Sequence, residues 1–267
     1  MIPKVIHYVW LGDAPKPRRV LECIDSWRRS CPGWELREWG SDFARSSGSR
    51  YVLEALDHRK WAFASDWMRL AVLERYGGFY LDTDVEVNRA LDPLCCEKFV
   101  AGWERQNGKT LVGTGVIGSD AGGEVVRRLL SLYDGLPFVR ADGELDQTPN
   151  TVRFTEYFAS EWDVRPSDRG DAVRFGDGCV ILPCSAFVSE DGYAIHHFSA
   201  TWLDVWMRKV WLKAGSYKLL RFKRRKEASG GDIRLLDGER RLLSFPIGRR
   251  KRVVIVRSCR PGRGNYG

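Results

Sequence analysis

The sequence predicts an α/β fold, and three observations carry that reading. Residues Pro3 to Trp39 read as strand, helix, strand, which favours a parallel sheet. A long helical pattern from Lys60 to Tyr76 stops at Gly77-Gly78 and runs straight into the apolar Phe79-Tyr80-Leu81. The chain has 267 residues, 43% of them hydrophobic and 11 of them Trp, enough for one large α/β domain or two small ones.

Each element has its own signal. Pro3 to Leu11 is rich in Val, Ile and aromatics and breaks at Gly12-Asp13-Ala14-Pro15, so it reads as a first strand. Val20, Leu21, Ile24 and Trp27 then fall at helical spacing between Pro17 and Ser30. Trp34 to Trp39 reads as a second strand and Tyr51 to Leu56 as a short helix. In the helix from Lys60 to Tyr76, Phe63, Trp67, Leu70, Ala71 and Glu74 lie near one face, with Asp66 and Arg69 on an adjacent stripe. Phe99 to Trp103, Thr114 to Gly118 and Cys179 to Pro183 read as further strands, Gly122 to Tyr133 and Asn150 to Phe158 as helices.

Composition narrows the classes. The start, MIPKVIHYVWLG, lacks a basic leader and a small-residue cleavage site, and no run of eighteen apolar residues occurs. Seven Cys with no C-x-x-C pair fit reduced thiols in a cytoplasmic protein, and Cys95-Cys96 reads as buried thiol. Residues 203–267 carry 19 Lys+Arg against 5 Asp+Glu, while residues 1–202 carry 24 against 30. A catalytic body over 1–203 and a basic tail over 204–267 follow, the tail suited to an anionic partner such as the inner face of a membrane. Within it, residues 202–226 mix Trp, Leu and Phe with Lys/Arg and read as an amphipathic interfacial helix or as a solvated basic face.

The motif that carries chemistry is Asp82-Thr83-Asp84 at the end of GGFYL. Carboxylates pressed against an apolar strand are costly unless something pairs with them. Side chains at i and i+2 of an extended chain share a face, so both can reach one ligand. The carboxyl end of a parallel strand is where open α/β sheets bind ligands. Mg²⁺ or Mn²⁺ takes such oxygens and keeps substrate phosphates as partners. On its own, D-x-D is a common surface turn.

IPKVIHYVWLG, AFASDWMRLAVLERYGGFYLDTDVEV and AIHHFSATW occur in this order. This resembles glycosyltransferase family 32, the DXD-motif sugar transferases that include capsular polysaccharide enzymes and initiating mannosyltransferases. It is similar, more distantly, to the glucosyltransferase domain of the clostridial toxins. The resemblance implies a GT-A fold, a Rossmann-like nucleotide-binding mixed sheet flanked by helices. It also implies a UDP- or GDP-sugar donor, Mn²⁺ or Mg²⁺, a glycan or lipid-linked acceptor, and retention at the anomeric carbon. Carried onto this chain, Asp82 and Asp84 match the metal pair, with Asp82 also touching the ribose or sugar. His197, or its neighbour His196, matches a late metal ligand. Asp66 and Arg69 match a pair gripping the donor sugar and diphosphate, Trp10 an aromatic stacked on the base, and Ser199 and Trp202 contacts to the β-phosphate. Gln147 or Asn150 is the candidate polar group near the sugar's β face.

Among the other residues, His7 reads as a hydrogen-bonded core residue and His58 as surface. Thr114-Gly115 reads either as close backbone packing beside the donor or acceptor or as a turn between strands. Two other functions compete. LDTDV partly fits the haloacid dehalogenase phosphatase motif with Asp82 as nucleophile, and FGDG at 175–178 faintly echoes its downstream acidic loop. Nucleic-acid binding through the basic tail is disfavoured, because the tail shows no recognisable binding fold.

Overall fold

In the computed structural model, the described residues are 1–106, 108–166, 171–198 and the strand segments at 209–214, 217–224, 232–237 and 240–246. The chain divides into two compact units, Met1–Ser199 and Ala200–Gly267.

The first unit is built on a seven-stranded sheet. Its strands are β1 (Val5–Val9), β2 (Glu35–Trp39), β3 (Gly78–Leu81), β5 (Phe99–Gln106), β6 (Lys109–Ser119), β7 (Val173–Phe175) and β8 (Cys179–Leu182), in the spatial order β2-β1-β3-β6-β5-β8-β7. β2, β1 and β3 are parallel, as the opening pattern predicts. β6 pairs antiparallel with both β3 and β5, so the sheet is mixed, as the GT-A resemblance implies. The register sets Leu81 opposite Val116, and Gly102 opposite Gly113. The end of β3, the start of β6 and the end of β5 therefore share one edge.

Two short strands stand apart, β4 (Val85–Val87) and β9 (Ala194–His196), paired antiparallel with Val85 opposite His196. Helix α1 (Arg18–Ser30) fixes them. Its Val20, Cys23, Ile24 and Trp27 are buried at helical spacing. The Trp27 indole N–H donates to the Val85 carbonyl at 2.7 Å, Ser30 Oγ donates to the Val87 carbonyl at 2.8 Å, and the Val87 N–H donates to Ser26 Oγ at 2.9 Å. Three hydrogen bonds from one helix thus hold the segment that follows Asp84.

α2 (Ser41–Arg45) and α3 (Arg50–Asp57) lead into α4 (Trp61–Tyr76). Burial of α4 goes beyond the single face expected from spacing: Phe63, Ala64, Asp66, Met68, Arg69, Leu70, Ala71, Val72 and Leu73 are all buried. It ends at Gly77, whose N–H donates to the Leu73 carbonyl at 2.8 Å. Gly78 has φ 100, and a Cβ there would stand 2.6 Å from the Val5 carbonyl oxygen, so only glycine fits. His7 locks the same corner from β1. Its Nε2 donates to the Gly77 carbonyl at 2.8 Å while Nδ1 accepts from the Trp39 indole at 3.1 Å. Burial pushes its pKa down to about 4, so the ring is neutral, the hydrogen-bonded core residue expected. α5 (Glu124–Ser131) and α6 (Asn150–Trp162) complete the unit.

Two local expectations change and one holds. Thr114-Gly115 lies inside β6 and is not a turn. Cys96 is exposed and Cys95 half-buried, because both sit in a single 3-10 turn outside the core. His58 is exposed, as expected.

The second unit contains a four-stranded antiparallel sheet of β10 (Lys209–Ala214), β11 (Tyr217–Arg224), β12 (Asp232–Asp237) and β13 (Arg240–Pro246). The interfacial helix expected over 202–226 is replaced by a strand pair. The sequence reason is a period of two along β10, where Lys209, Trp211 and Lys213 alternate with Val210, Leu212 and Ala214. A bulge between Leu212↔Leu220 and Lys213↔Lys218 absorbs the Leu219-Leu220 run that hides this alternation in β11. Among the described residues, no helix is long and apolar enough to cross a membrane.

Candidate active site

The site lies at the edge where β3 ends. Asp82 and Asp84 are not on extended chain, as the i, i+2 argument supposed. They occupy the turn between β3 and β4, closed by the Val85 N–H donating to the Asp82 carbonyl at 2.9 Å. The Asp82 N–H donates to the Gly115 carbonyl at 2.8 Å, so β6 pins the start of the turn.

Of the two neighbouring histidines, His196 joins the carboxylates. One ligand atom each from Asp82, Asp84 and His196 fall within 4.8 Å of one another. His196 Nε2 is 3.3 Å from Asp84 Oδ1 and 4.0 Å from Asp82 Oδ2. His197 turns away: its Nε2 lies 2.9 Å from Glu86 Oε2 and 2.6 Å from Arg19 Nη2, on the side of α1. Successive strand residues face opposite sides, so only one of the pair can face the D-x-D turn. Burial alone would lower the His196 pKa. Hydrogen bonding to Asp84 and Glu104, with the charge of Asp82, instead lifts it to about 10. Two carboxylates and an imidazole converge here around an excess of negative charge. Oxygen ligands with one nitrogen suit Mn²⁺ or Mg²⁺, so the residues fit the expected ion.

Asp66 and Arg69 form the second half. The Arg69 side chain is 5% exposed, so the pair is not a solvated surface contact. Its Nη2 is 2.9 Å from Asp66 Oδ1 and 3.4 Å from Asp82 Oδ1. Its Nη1 donates to the Thr114 carbonyl at 2.5 Å, its Nε to the Ser65 carbonyl at 3.3 Å, and its guanidinium lies 4.7 Å over the Tyr80 ring. Burial works against its charge, but Asp82 and Asp66 hold its pKa above the usual value. Burial pushes the Asp66 pKa up to about 7, with Arg69 pulling it back.

The remaining predicted residues scatter. Asn150 is buried, its Nδ2 donating to the Asp66 carbonyl at 3.2 Å and its Oδ1 accepting from the Tyr133 hydroxyl, so both ends of its amide are taken. It braces α4. Gln147, three residues earlier, is exposed. Trp10 sits just past the end of β1, at the same sheet edge, with its indole N–H on the Ala14 carbonyl at 2.9 Å and Lys16 Nζ 5.8 Å from its ring. Ser199 and Trp202 lie outside the described residues. Sequence reasoning missed Tyr80, whose hydroxyl donates to Asp82 Oδ1 at 3.0 Å, and Glu104, whose Oε2 lies 3.6 Å from His196 Nδ1. A carboxylate inside the apolar run of β5 is the one signal that pointed to Glu104.

Residues 17–100, which hold Asp66, Arg69, Asp82 and Asp84, match the family described as "Glycosyltransferase sugar-binding region containing DXD motif". The match covers the segment that carries the D-x-D turn and the helix before it. It is 30% identical over 140 residues to inositol phosphoceramide mannosyltransferase 3 of Schizosaccharomyces pombe, covering 48% of this chain and 37% of that protein. It is also 30% identical over 126 residues to the uncharacterized glycosyltransferase L373 of Acanthamoeba polyphaga mimivirus, covering 45% of this chain and 50% of that one. The chain therefore spans half or less of the length of these relatives. Among solved structures it is similar to the PaToxG glycosyltransferase, with 16% identity, coverage of 60% of this chain and 70% of that chain, and a TM-score of 0.44.

The phosphatase alternative loses its geometry as well as its family. Asp177 of FGDG precedes β8, which runs parallel to β5, and so lies at the opposite edge of the sheet from Asp82. There it pairs with Lys98.

Proposed function

We propose that this protein is a DXD glycosyltransferase that moves a hexose from a nucleotide sugar to a glycan or lipid-linked acceptor, with retention at the anomeric carbon. The observation that carries the proposal is the convergence of Asp82, Asp84 and His196 beside the buried Asp66–Arg69 pair. Asp82, Asp84 and His196 would hold Mn²⁺ or Mg²⁺, whose charge would offset the negative charge that builds on the departing diphosphate. His196 takes the place that the resemblance left between His196 and His197. Arg69 orients Asp82 and Asp66, and Asp66 offers a hydrogen-bond partner to a sugar hydroxyl. Trp10 stacks on the base, while the β-phosphate contacts that the resemblance gives to Ser199 and Trp202 lie outside the described residues. Gln147, being exposed, remains the candidate for the sugar's β face, while Asn150 acts by bracing Asp66. In a front-face route the bond from the anomeric carbon to the diphosphate oxygen breaks. The acceptor oxygen bonds to that carbon on the same face, and its proton passes to the released diphosphate.

Mannose is the first sugar to test, because one relative is named a mannosyltransferase. Thermal shift and donor hydrolysis across UDP- and GDP-sugars, with and without Mn²⁺, test the reading. One donor, GDP-mannose first, is expected to give metal-dependent stabilisation and slow hydrolysis. If no nucleotide sugar does, the proposal fails.

The acceptor side of the proposal involves a membrane. In β10 and β11 the register sets Lys209 opposite Lys223, Trp211 opposite Arg221 and Lys213 opposite Lys218. Like charges directly opposed across strands repel, and an anionic surface relieves them. The tail would thereby dock the enzyme at an anionic leaflet, the cytoplasmic one for capsule or other surface-polysaccharide assembly. The full chain is expected to co-sediment with phosphatidylserine-containing vesicles at low salt and to be released at high salt. Equal binding to neutral vesicles, or none to either, would overturn this docking.

A further inference from the structure

We propose that Glu104 is a positioning residue for the metal site, holding the His196 ring so that Nε2 faces Asp82 and Asp84. The inference rests on the metal reading above and adds a residue beyond the matched segment and beyond the D-x-D pattern.

Three glycines clear one face of the β5–β6 pair to make this contact. A Cβ at Gly115 would lie 2.7 Å from His196 Nδ1 and Cε1, and a Cβ at Gly113 would lie 3.2 Å from Glu104 Oε2. A Cβ at Gly102 would lie 2.5 Å from the Phe187 ring. Glycine at 113 and 115, two apart on one strand, leaves a trough without side chains. Glu104 and the His196 imidazole occupy it, with Phe187 closing the end at Gly102. The Phe198 ring packs on the imidazole with centroids 4.1 Å apart. The ring is thus bounded by Gly115, Phe198, Glu104 and the two aspartates.

Glu104 is 5% exposed, and a carboxylate at that depth needs compensation. Its Oε1 accepts from the Gln106 amide. Its Oε2 faces His196 Nδ1 at 3.6 Å. A half-turn of the imidazole about its Cβ–Cγ bond would carry Nδ1 away from Glu104 and bring carbon in its place. The carboxylate therefore favours the orientation in which Nδ1–H faces it and Nε2 faces the two aspartates, where an ion would take the place of its proton. Outer carboxylates of this kind fix ring orientation in metal-binding histidines in general.

The test is a double-mutant cycle of Glu104→Gln and His196→Ala. It reads Mn²⁺ affinity by electron paramagnetic resonance of free Mn²⁺ at a fixed GDP concentration, together with Tm without metal. Glu104→Gln keeps the shape and is expected to weaken Mn²⁺ by about 10- to 100-fold. In the His196→Ala background the same change is expected to add less than about twofold, because the residue acts through the ring. Gly115→Ala, which crowds the ring directly, should weaken Mn²⁺ in the same way and carries the test if Glu104→Gln does not fold. Wild-type affinity in Glu104→Gln, or in Gly115→Ala where it carries the test, would overturn the inference, and so would an undiminished loss without His196. Wild-type protein that binds no Mn²⁺ would sink the metal reading itself, a distinguishable failure.

Discussion

Asp84→Asn is expected to lower metal-dependent donor turnover by about a thousandfold, equivalent to about 4 kcal/mol of transition-state stabilisation. The change keeps the side-chain volume and one oxygen but removes the charge. Asp84 is one of three groups whose ligand atoms converge within 4.8 Å, and its Oδ1 lies 3.3 Å from His196 Nε2. With the charge gone, the site loses a strong ligand for a hard cation, and a diphosphate leaving group loses its neutralising partner. Stabilisation by Mn²⁺ in a thermal-shift assay should vanish with turnover. The Tm without metal should move by only a few degrees, because the turn is held by backbone hydrogen bonds, the Val85 N–H to the Asp82 carbonyl and the Asp82 N–H to the Gly115 carbonyl. His196→Ala should share the phenotype. His197→Ala should not, since that ring faces Arg19 and Glu86. Turnover of Asp84→Asn within tenfold of wild type would remove the metal from the proposed mechanism.

The residues legible in the sequence are those whose partners are close along the chain. Asp82 and Asp84 are two apart, Asp66 and Arg69 three apart on one helix, and the glycine pair that turns α4 into β3 is contiguous with both. What decided the rest is pairing between distant segments. Whether His196 or His197 faces the carboxylates depends on β9 pairing with β4, more than a hundred residues earlier. Glu104 meets His196 only because β5, β6 and β9 gather at one sheet edge and glycines leave room there. Asn150, at the start of a predicted helix, is a candidate for the sugar on sequence alone, but the fold uses its amide on Asp66 and Tyr133. In the tail, a single bulged residue breaks the period of two, so a strand pair reads as a basic amphipathic segment with no clear period.

Arg69→Lys is expected to cost both stability and turnover, although the charge is kept. The guanidinium presents five N–H groups, and acceptors surround it: the Ser65 carbonyl and hydroxyl, the Thr114 carbonyl, Asp66 and Asp82. An ammonium has three donors on a single nitrogen and cannot span Asp66, Asp82 and the β6 backbone at once. One of the two carboxylates is then left buried and unpaired, and breaking a buried pair typically costs about 3–5 kcal/mol. For a domain of this size that lowers Tm by roughly 10 °C. Asp66, whose pKa burial already pushes up to about 7, would rise further and lose its charge at neutral pH. Asp82 would lose the contact that aims it from the end of β3. Turnover should fall by about a hundredfold at saturating Mn²⁺, and added metal should not restore it, because the fault lies in the placement of ligands and not in their number. Calorimetry with steady-state kinetics on the same preparation checks both effects. A variant with wild-type Tm and wild-type turnover would show that Arg69 is an ion pair of no special consequence. Loss of stability alone would confine it to the core.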